Sequence, residues 1–173
     1  MFFHQKYFPQ CVRMLTGRFA LALSLGLMLF AVGCAKLPSP TAPVGKGSAS
    51  GQAITKTALS NIGVPYRAGG NNPSRGFDCS GLVCWTYGQH GINMPRTSQE
   101  QMSAGKAVPA SQLKPGDLVV FKISNRRGYH SGIYSGDGKF VHSPRKGDTV
   151  REDSMSSKYW APKLVATRRV VSK

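Results

Sequence analysis

Apolar positions along the 173-residue chain change their spacing several times, and each change marks a different kind of segment. Phe19 to Gly33, FALALSLGLMLFAVG, is an unbroken apolar run with no charge. Ala35 to Ser50, AKLPSPTAPVGKGSAS, has no period and no aromatic residue, and reads as a linker. Helical spacing begins at Ala53, with Ile54, Ala58, Leu59 and Ile62 on one face. Gly63 and Pro65 end that helix. Tyr66 to Gly76 is rich in Gly, Asn and Pro and reads as loop. A second helix is predicted over Cys79 to His90, with Asp78 as N-cap, Gly91 just past its end, and Leu82, Val83, Thr86 and Tyr87 on a common face. Thr97 to Ala104 predicts a short third helix, because Thr97 followed by Glu100 fits a capping box.

Beyond the turn Lys114-Pro-Gly-Asp117 the pattern becomes that of strands. Leu118 to Phe121 is one, and His130 to Tyr134 with Lys139 to Ser143 flank Ser-Gly-Asp-Gly as a hairpin. Thr149 to Glu152 and Leu164 to Val171 are further candidates, and no internal repeat is visible. Helices first and strands afterwards predict an α+β fold, with N-terminal helices packed on a C-terminal antiparallel sheet.

The apolar run near the N-terminus has 15 residues, short of the roughly 20 that span a bilayer. Lys6, Arg13 and Arg18 precede it without an acid, which is the charge order of a secretory signal. Its end, Ala31-Val32-Gly33-Cys34, resembles a bacterial lipobox, with Ala31 where Leu is usual. The resemblance implies cleavage before Cys34 and lipid chains such as palmitate on that cysteine, tethering the protein to a membrane. An uncleaved anchor helix is the alternative, and translation could start at Met1 or at Met14. By the same resemblance, Ala35 rather than Asp after the cysteine points to the outer membrane, with the domain facing the periplasm. The expected organisation is therefore a leader over residues 1–33, a lipid-anchored flexible linker over 34–50 and a folded domain over 51–173. An extended linker of that length reaches at most ~50 Å.

Hydrophobic residues make up 40% of the chain, enough for a globular core. The balance of 23 Lys and Arg against 7 Asp and Glu gives a net charge of +16, and loss of Lys6, Arg13 and Arg18 with the leader leaves +13. Such a charge suits anionic partners. The basic residues are scattered and no aromatic-interleaved basic stripe occurs, so nucleic acid is not the expected partner.

Cysteines stand at 11, 34, 79 and 84. On one helix, Cys79 and Cys84 would be rotated by ~140° and separated by ~7.5 Å in rise, a poor match to the ~5.5–6 Å between bridged α-carbons. Cys79, Cys84, His90, His130 and His142 lack the spacing of a zinc site. No metal and no cofactor is expected. A thiol in the first turn of a helix instead feels the positive end of the helix dipole, which favours thiolate. A nucleophile there needs a histidine partner. His4 lies in the leader and His90 at a helix C-terminus, which leaves His130 and His142 on the two arms of the hairpin. A loop over Ser135 to Asp137 puts both rings on one face, whereas a two-residue Gly136-Asp137 loop without a bulge puts them on opposite faces.

Six segments in order resemble the NlpC family of bacterial cell-wall cysteine peptidases, which are papain-like in fold. They are Gly63-Val-Pro-Tyr-Arg-Ala-Gly-Gly70, Phe77-Asp-Cys-Ser-Gly81, Met94-Pro-Arg-Thr-Ser-Gln-Glu-Gln101, Leu113-Lys-Pro-Gly-Asp-Leu118, His130-Ser-Gly-Ile-Tyr134 and Phe140-Val-His142. Ser131 departs from the usual Val. The resemblance implies Cys79 as nucleophile, His130 as general base and acid, and His142 as the polar third member that orients it. It implies Tyr66 near the cysteine, Asp78 and Ser80 as substrate contacts at the cleft, and structural roles for Arg96 and Gln101. For Asp78 the N-cap role alone is an equal reading. The implied substrate is the stem peptide of peptidoglycan, cut through an acyl-enzyme; its free carboxylates would suit the basic domain. Two other readings are a related amidase or acyltransferase acting on another amide or ester, and a non-catalytic wall-binding lipoprotein.

Overall fold

The computed structural model describes residues 49–124 and 128–171. The leader, Cys34 and nearly all of the linker lie outside the described residues.

Three helices precede most of the sheet. Helix α1, Gly51–Leu59, starts at Ser50, whose hydroxyl accepts the amide of Ala53 at 3.1 Å. It buries Ile54, Thr55 and Ala58. The loop that follows contains a minimal ribbon, β1 (Asn71–Asn72) against β2 (Gly76–Phe77). Helix α2 runs Cys79–Gly88 and stops two residues before the predicted end. His90 and Gly91 instead form tight turns, their amides bonding Tyr87 and Gly88 carbonyls, and Gly91 takes a φ of 72°. Helix α3 has its capping box, with Thr97 and Glu100 bonded reciprocally, but spans only Ser98–Gln101. Past Gln101 the amides of Met102, Ser103 and Ala104 bond carbonyls three residues back, and Gly105, with a φ of 57°, turns the chain away. Arg168 donates to the carbonyls of Ser103, Ala104 and Gly105, which ties this turn to the end of the chain. Strand β3, Lys106–Ala107, begins directly after.

The strands β4 (Leu118–Ser124), β5 (Gly128–Gly136), β6 (Lys139–His142), β7 (Arg151–Ser154) and β8 (Leu164–Arg169) complete one antiparallel sheet of order β3-β8-β4-β5-β6-β7. Strand β7 sits two residues later than the predicted Thr149 to Glu152, because its register is set by pairing Phe140 with Asp153 and His142 with Arg151. Alternation explains why Leu118-Val-Val-Phe121 is apolar throughout: both faces are covered. Leu118 and Val120 join Ile133 and Val141 against Ile54, Ala58, Leu82, Val83 and Tyr87 of the helices. Val119 and Phe121 join Phe140 and Trp160 on the other side. The fold is thus α+β, with helices on one face of an antiparallel sheet. Among the described residues no helix is long and apolar enough to cross a membrane.

The β5–β6 hairpin differs from both loops weighed in the sequence. Its tight turn is Asp137-Gly138, both with positive φ (49° and 69°), as a type I′ turn requires. Gly136 pairs with Lys139, but Tyr134 pairs with Phe140, so one residue bulges at Ser135. Without that bulge His130 and His142 would face opposite sides of the sheet. With it, His142 continues level with Gly132, two residues from His130 and on the same face.

Candidate active site

Cys79 opens α2 because Asp78 closes the helix before it. Asp78 Oδ1 accepts the amide of Gly81 at 2.6 Å, and the Asp78 carbonyl accepts that of Leu82 at 3.0 Å. The amides of Cys79 and Ser80 precede these bonds and lie at the positive end of the helix. Gly81 is required at this point, since any β-carbon there would collide with the carbonyl oxygen of Gly70. Asp78 is also held from outside the helix. Arg96 donates from Nη1 to Oδ1 at 3.0 Å and from Nη2 to Oδ2 at 2.7 Å, and Gly69 donates its amide to Oδ2 at 3.0 Å. Ser80 Oγ accepts from Arg96 at 2.8 Å and lies 3.3 Å from Asp78 Oδ1. The polar atoms of Asp78 and Ser80 are therefore engaged at the start of α2. Gln101 is fully buried and donates to the carbonyls of Ser80 and Pro95, which ties α3 to the first turn of α2. Cys79 and Cys84 are both free thiols; Cys84 donates to the carbonyl of Pro95 at 3.1 Å.

The sulfur of Cys79 is 3.4 Å from Ser98 Oγ, and Ser98 Oγ is 2.9 Å from Ser131 Oγ. Ser131 is fully buried on β5, next in sequence to His130. His130 and His142 are buried on β5 and β6, with His130 Nε2 2.8 Å from His142 Nδ1. Gly132 makes that approach possible. A β-carbon on it would lie 2.7 Å from Phe140 Cδ2, 2.8 Å from the Val141 carbonyl oxygen and 3.2 Å from His142 Cβ. Trp160 roofs the pair, its ring tilted 31° over His130 at 5.1 Å and edge-on to His142 at 5.1 Å.

Behind His142 stands Asp153. Its Oδ2 is 3.0 Å from His142 Nε2, within ion-pair distance, and among the described residues no other hydrogen-bond partner reaches that buried nitrogen. Trp160 Nε1 donates to the same oxygen at 2.9 Å, and Arg151 Nε donates to Oδ1 at 3.0 Å. Burial raises the Asp153 carboxyl, but the bonds from Arg151 and Trp160 and the neighbouring His142 outweigh it and hold the group below the ordinary carboxylate value. Both histidines are held well below the ordinary imidazole value. Desolvation is the main cause for each; His142 adds to it at His130, and Asp153 opposes it at both rings.

Cys79, His130, Tyr66, Tyr129, Asp153 and Trp160 are among the residues lining one open cleft of about 960 Å³. Arg145, Lys146 and Arg151 also line this cleft, Arg145 and Arg151 ion-paired to Asp148 and Arg151 to Asp153 as well. Tyr66 is raised above the ordinary phenol value by desolvation and by Cys79 and Asp78, so its hydroxyl keeps its proton as a donor. Among the described residues no cluster of His, Cys, Asp or Glu is arranged to hold a metal ion.

A cysteine at a helix start and a paired histidine on the sheet thus line one cleft. The NlpC/P60 family model matches residues 63–169, from the loop after α1 to the end of β8. This chain belongs to the NlpC/P60 family. Within that family, the murein DD-endopeptidase MepH of Escherichia coli is 43% identical over 129 residues, covering 70% of this chain and 48% of the relative. The bifunctional muramidase/DL-endopeptidase CwlT of Bacillus subtilis is 40% identical over 121 residues, covering 69% of this chain and 36% of the relative. A solved NlpC/P60 family protein from Bacillus cereus superposes with a TM-score of 0.67 at 31% identity, covering 72% of this chain and 41% of that one. The chain thus matches about half or less of the length of these relatives.

Three residues of this NlpC/P60 site were not picked out from the sequence. Ser98 follows the capping Thr97 and carries no signal of its own. Asp153 lies in a polar strand, and only the pairing of β6 with β7 brings it behind His142. Trp160 stands just before a 3₁₀ turn, Ala161–Lys163, and reaches the histidines through the apolar cluster with Phe121 and Phe140.

Proposed function

We propose that this chain is a cysteine endopeptidase that hydrolyses amide bonds in peptidoglycan stem peptides or their cross-links. The observation that carries the reading is the single cleft lined by Cys79, at the positive end of α2, and by His130, backed by His142. The names of the E. coli and B. subtilis relatives supply the substrate class. Lys146, which lines the cleft beside the ion-paired Arg145 and Arg151, suits a peptide with free carboxylates.

The Cys79 thiol gives its proton to His130, and the sulfur adds to the carbonyl carbon of the scissile amide. The first amides of α2, which Cys79 opens, and the hydroxyl of Tyr66, which lines the same cleft, are the donors to the carbonyl oxygen as it gathers negative charge. His130 returns the proton to the amide nitrogen, the C–N bond breaks, and the amine leaves a thioester on Cys79. Water then attacks the thioester while His130 takes a proton from it. The C–S bond breaks, the carboxylate product departs and the thiol is restored. Asp78 and Ser80 shape this site by holding the start of α2.

The test is digestion of defined, cross-linked muropeptides followed by mass spectrometry. New amine and carboxylate ends should appear with the wild-type protein and vanish with Cys79→Ala at unchanged unfolding temperature. Equal cleavage by the variant would sink the proposal.

We also propose that lipid on Cys34 anchors the domain in the cell envelope, at the outer membrane facing the periplasm. The lipobox-like Ala31-Val-Gly-Cys34 and the preceding apolar run support this. Incorporation of labelled palmitate that is lost in Cys34→Ala is the expected result; an unlabelled wild-type protein would refute it.

A further inference from the structure

We propose that Asp153 is a positioning residue that sets the proton arrangement of the histidine pair, leaving His130 Nδ1 free to accept a proton. This rests on the reading of His130 as the base, and it adds a fourth member to the line Cys79, His130, His142.

The argument is one of donors and acceptors. A neutral imidazole has one N–H and one bare nitrogen. His142 Nε2 is fully buried, and the carboxylate of Asp153 at 3.0 Å is its charged neighbour. A carboxylate can only accept, so it selects the form of His142 with the proton on Nε2. His142 Nδ1 is then bare. The nitrogen facing it at 2.8 Å, His130 Nε2, must therefore carry a proton and donate it. A neutral His130 with Nε2–H has a bare Nδ1. The carboxylate at the back of the site thereby decides, through two rings, which nitrogen of His130 can act as base. Burial of both rings favours their neutral forms, so this choice of tautomer governs the resting state.

Asp153 is itself held in place for this role. Arg151 donates from Nε to Oδ1 at 3.0 Å and from Nη2 to Oδ2 at 3.4 Å, and Trp160 shares Oδ2 with His142. Trp160 also covers both rings, so a single side chain fixes the carboxylate and the imidazoles it controls. Three donors approach Oδ2 and one approaches Oδ1, so the amide of Asp153→Asn keeps its oxygen at Oδ2 and preserves the acceptor behind His142. Asp153→Ala removes that acceptor. A buried His142 Nε2 without an acceptor favours its bare form, its proton moves to Nδ1, and His130 Nε2 must turn acceptor. The proton of His130 is left on Nδ1, where a base is needed.

The test is ¹⁵N NMR of histidine-labelled protein at neutral pH, which reports the protonated nitrogen of each ring, alongside kcat and KM on muropeptides. The wild-type protein should show Nε2–H on both rings. Asp153→Ala should move the protons to Nδ1 and lower kcat by roughly 10–100-fold, the range for removing the outer partner of a metal-ligating histidine, with KM little changed. Asp153→Asn should keep the wild-type tautomers. Unchanged tautomers in folded Asp153→Ala would overturn the proposal, as would a tautomer switch with unchanged kcat. Nδ1–H on His142 in the wild-type protein would overturn it without any variant. The ring tautomers are read independently of activity, so a failure of the proposed substrate and a failure of this role are distinguishable.

Discussion

The sulfur of Cys79 lies 3.4 Å from the hydroxyl of Ser98, and that hydroxyl continues to Ser131 at 2.9 Å. Two hydroxyls in line can pass a hydrogen bond toward the sulfur: Ser131 donates to Ser98, and Ser98 donates to Cys79. Charged acceptors gain more from such a bond than neutral ones, so a hydroxyl placed there assists the sulfur as a nucleophile.

Removing the nearer hydroxyl should therefore slow the thiol. With Ser98→Ala, we expect alkylation of Cys79 by iodoacetamide at neutral pH to slow by roughly 3–10-fold, matching the loss of about 1 kcal/mol for one hydrogen bond. Ser131→Val, which removes the farther hydroxyl, should produce a smaller change in the same direction. Alkylation at the wild-type rate in folded Ser98→Ala would show that the hydroxyl only fills space.

Gly132 sits where the hairpin brings His142 across from β5. A methyl group there meets Phe140 at 2.7 Å and the Val141 carbonyl oxygen at 2.8 Å, closer than real β-carbon contacts. The Gly132→Ala variant should lose about 1–3 kcal/mol of stability, the usual cost of overpacking. Urea unfolding measures this loss. Because the displaced strand carries His142, kcat should fall as well, while alkylation of Cys79 on α2 should change little. A variant with wild-type stability and kcat would show that β6 can give way without disturbing the pair.

Acid should destabilise the fold through the same two histidines. Both have folded values below the ordinary imidazole value, because charging a buried ring costs desolvation. On acidification below about pH 6.5 the unfolded chain takes up protons that the folded one refuses, so stability falls with pH until the folded values are reached. Above about pH 6.5 the contribution is fully present. Unfolding temperature should drop steadily from pH 7 to pH 5, and His142→Gln should flatten the slope. An equal slope in the variant would assign acid sensitivity to the carboxylates instead.

Local features were largely legible in the chain. Asp78 caps α2 and Thr97 with Glu100 caps α3, because a cap depends on residues within three positions of each other. Helix lengths were less so. Helix α3 stops after Gln101 and the chain turns at Gly105, so that Lys106 and Ala107 can pair with Arg169 and Arg168 of the distant β8. The apolar stretch Leu118 to Phe121 was readable as a strand, but its partners on either face belong to distant segments.

The amino-acid sequence by itself determined which side chains are available for chemistry: a cysteine behind an N-cap, two histidines on one hairpin and a basic surface. It did not choose between one face and two for those histidines, because side chains alternate and a single extra residue reverses the outcome. That choice was made by the bulge at Ser135 and the absence of a side chain at Gly132, both meaningful only once β5 and β6 are paired. Ser98, Asp153 and Trp160 joined the site in the same way. Each is an ordinary polar or aromatic residue in sequence, and acquires its role from contacts between segments that only the folded chain brings within hydrogen-bonding or van der Waals distance.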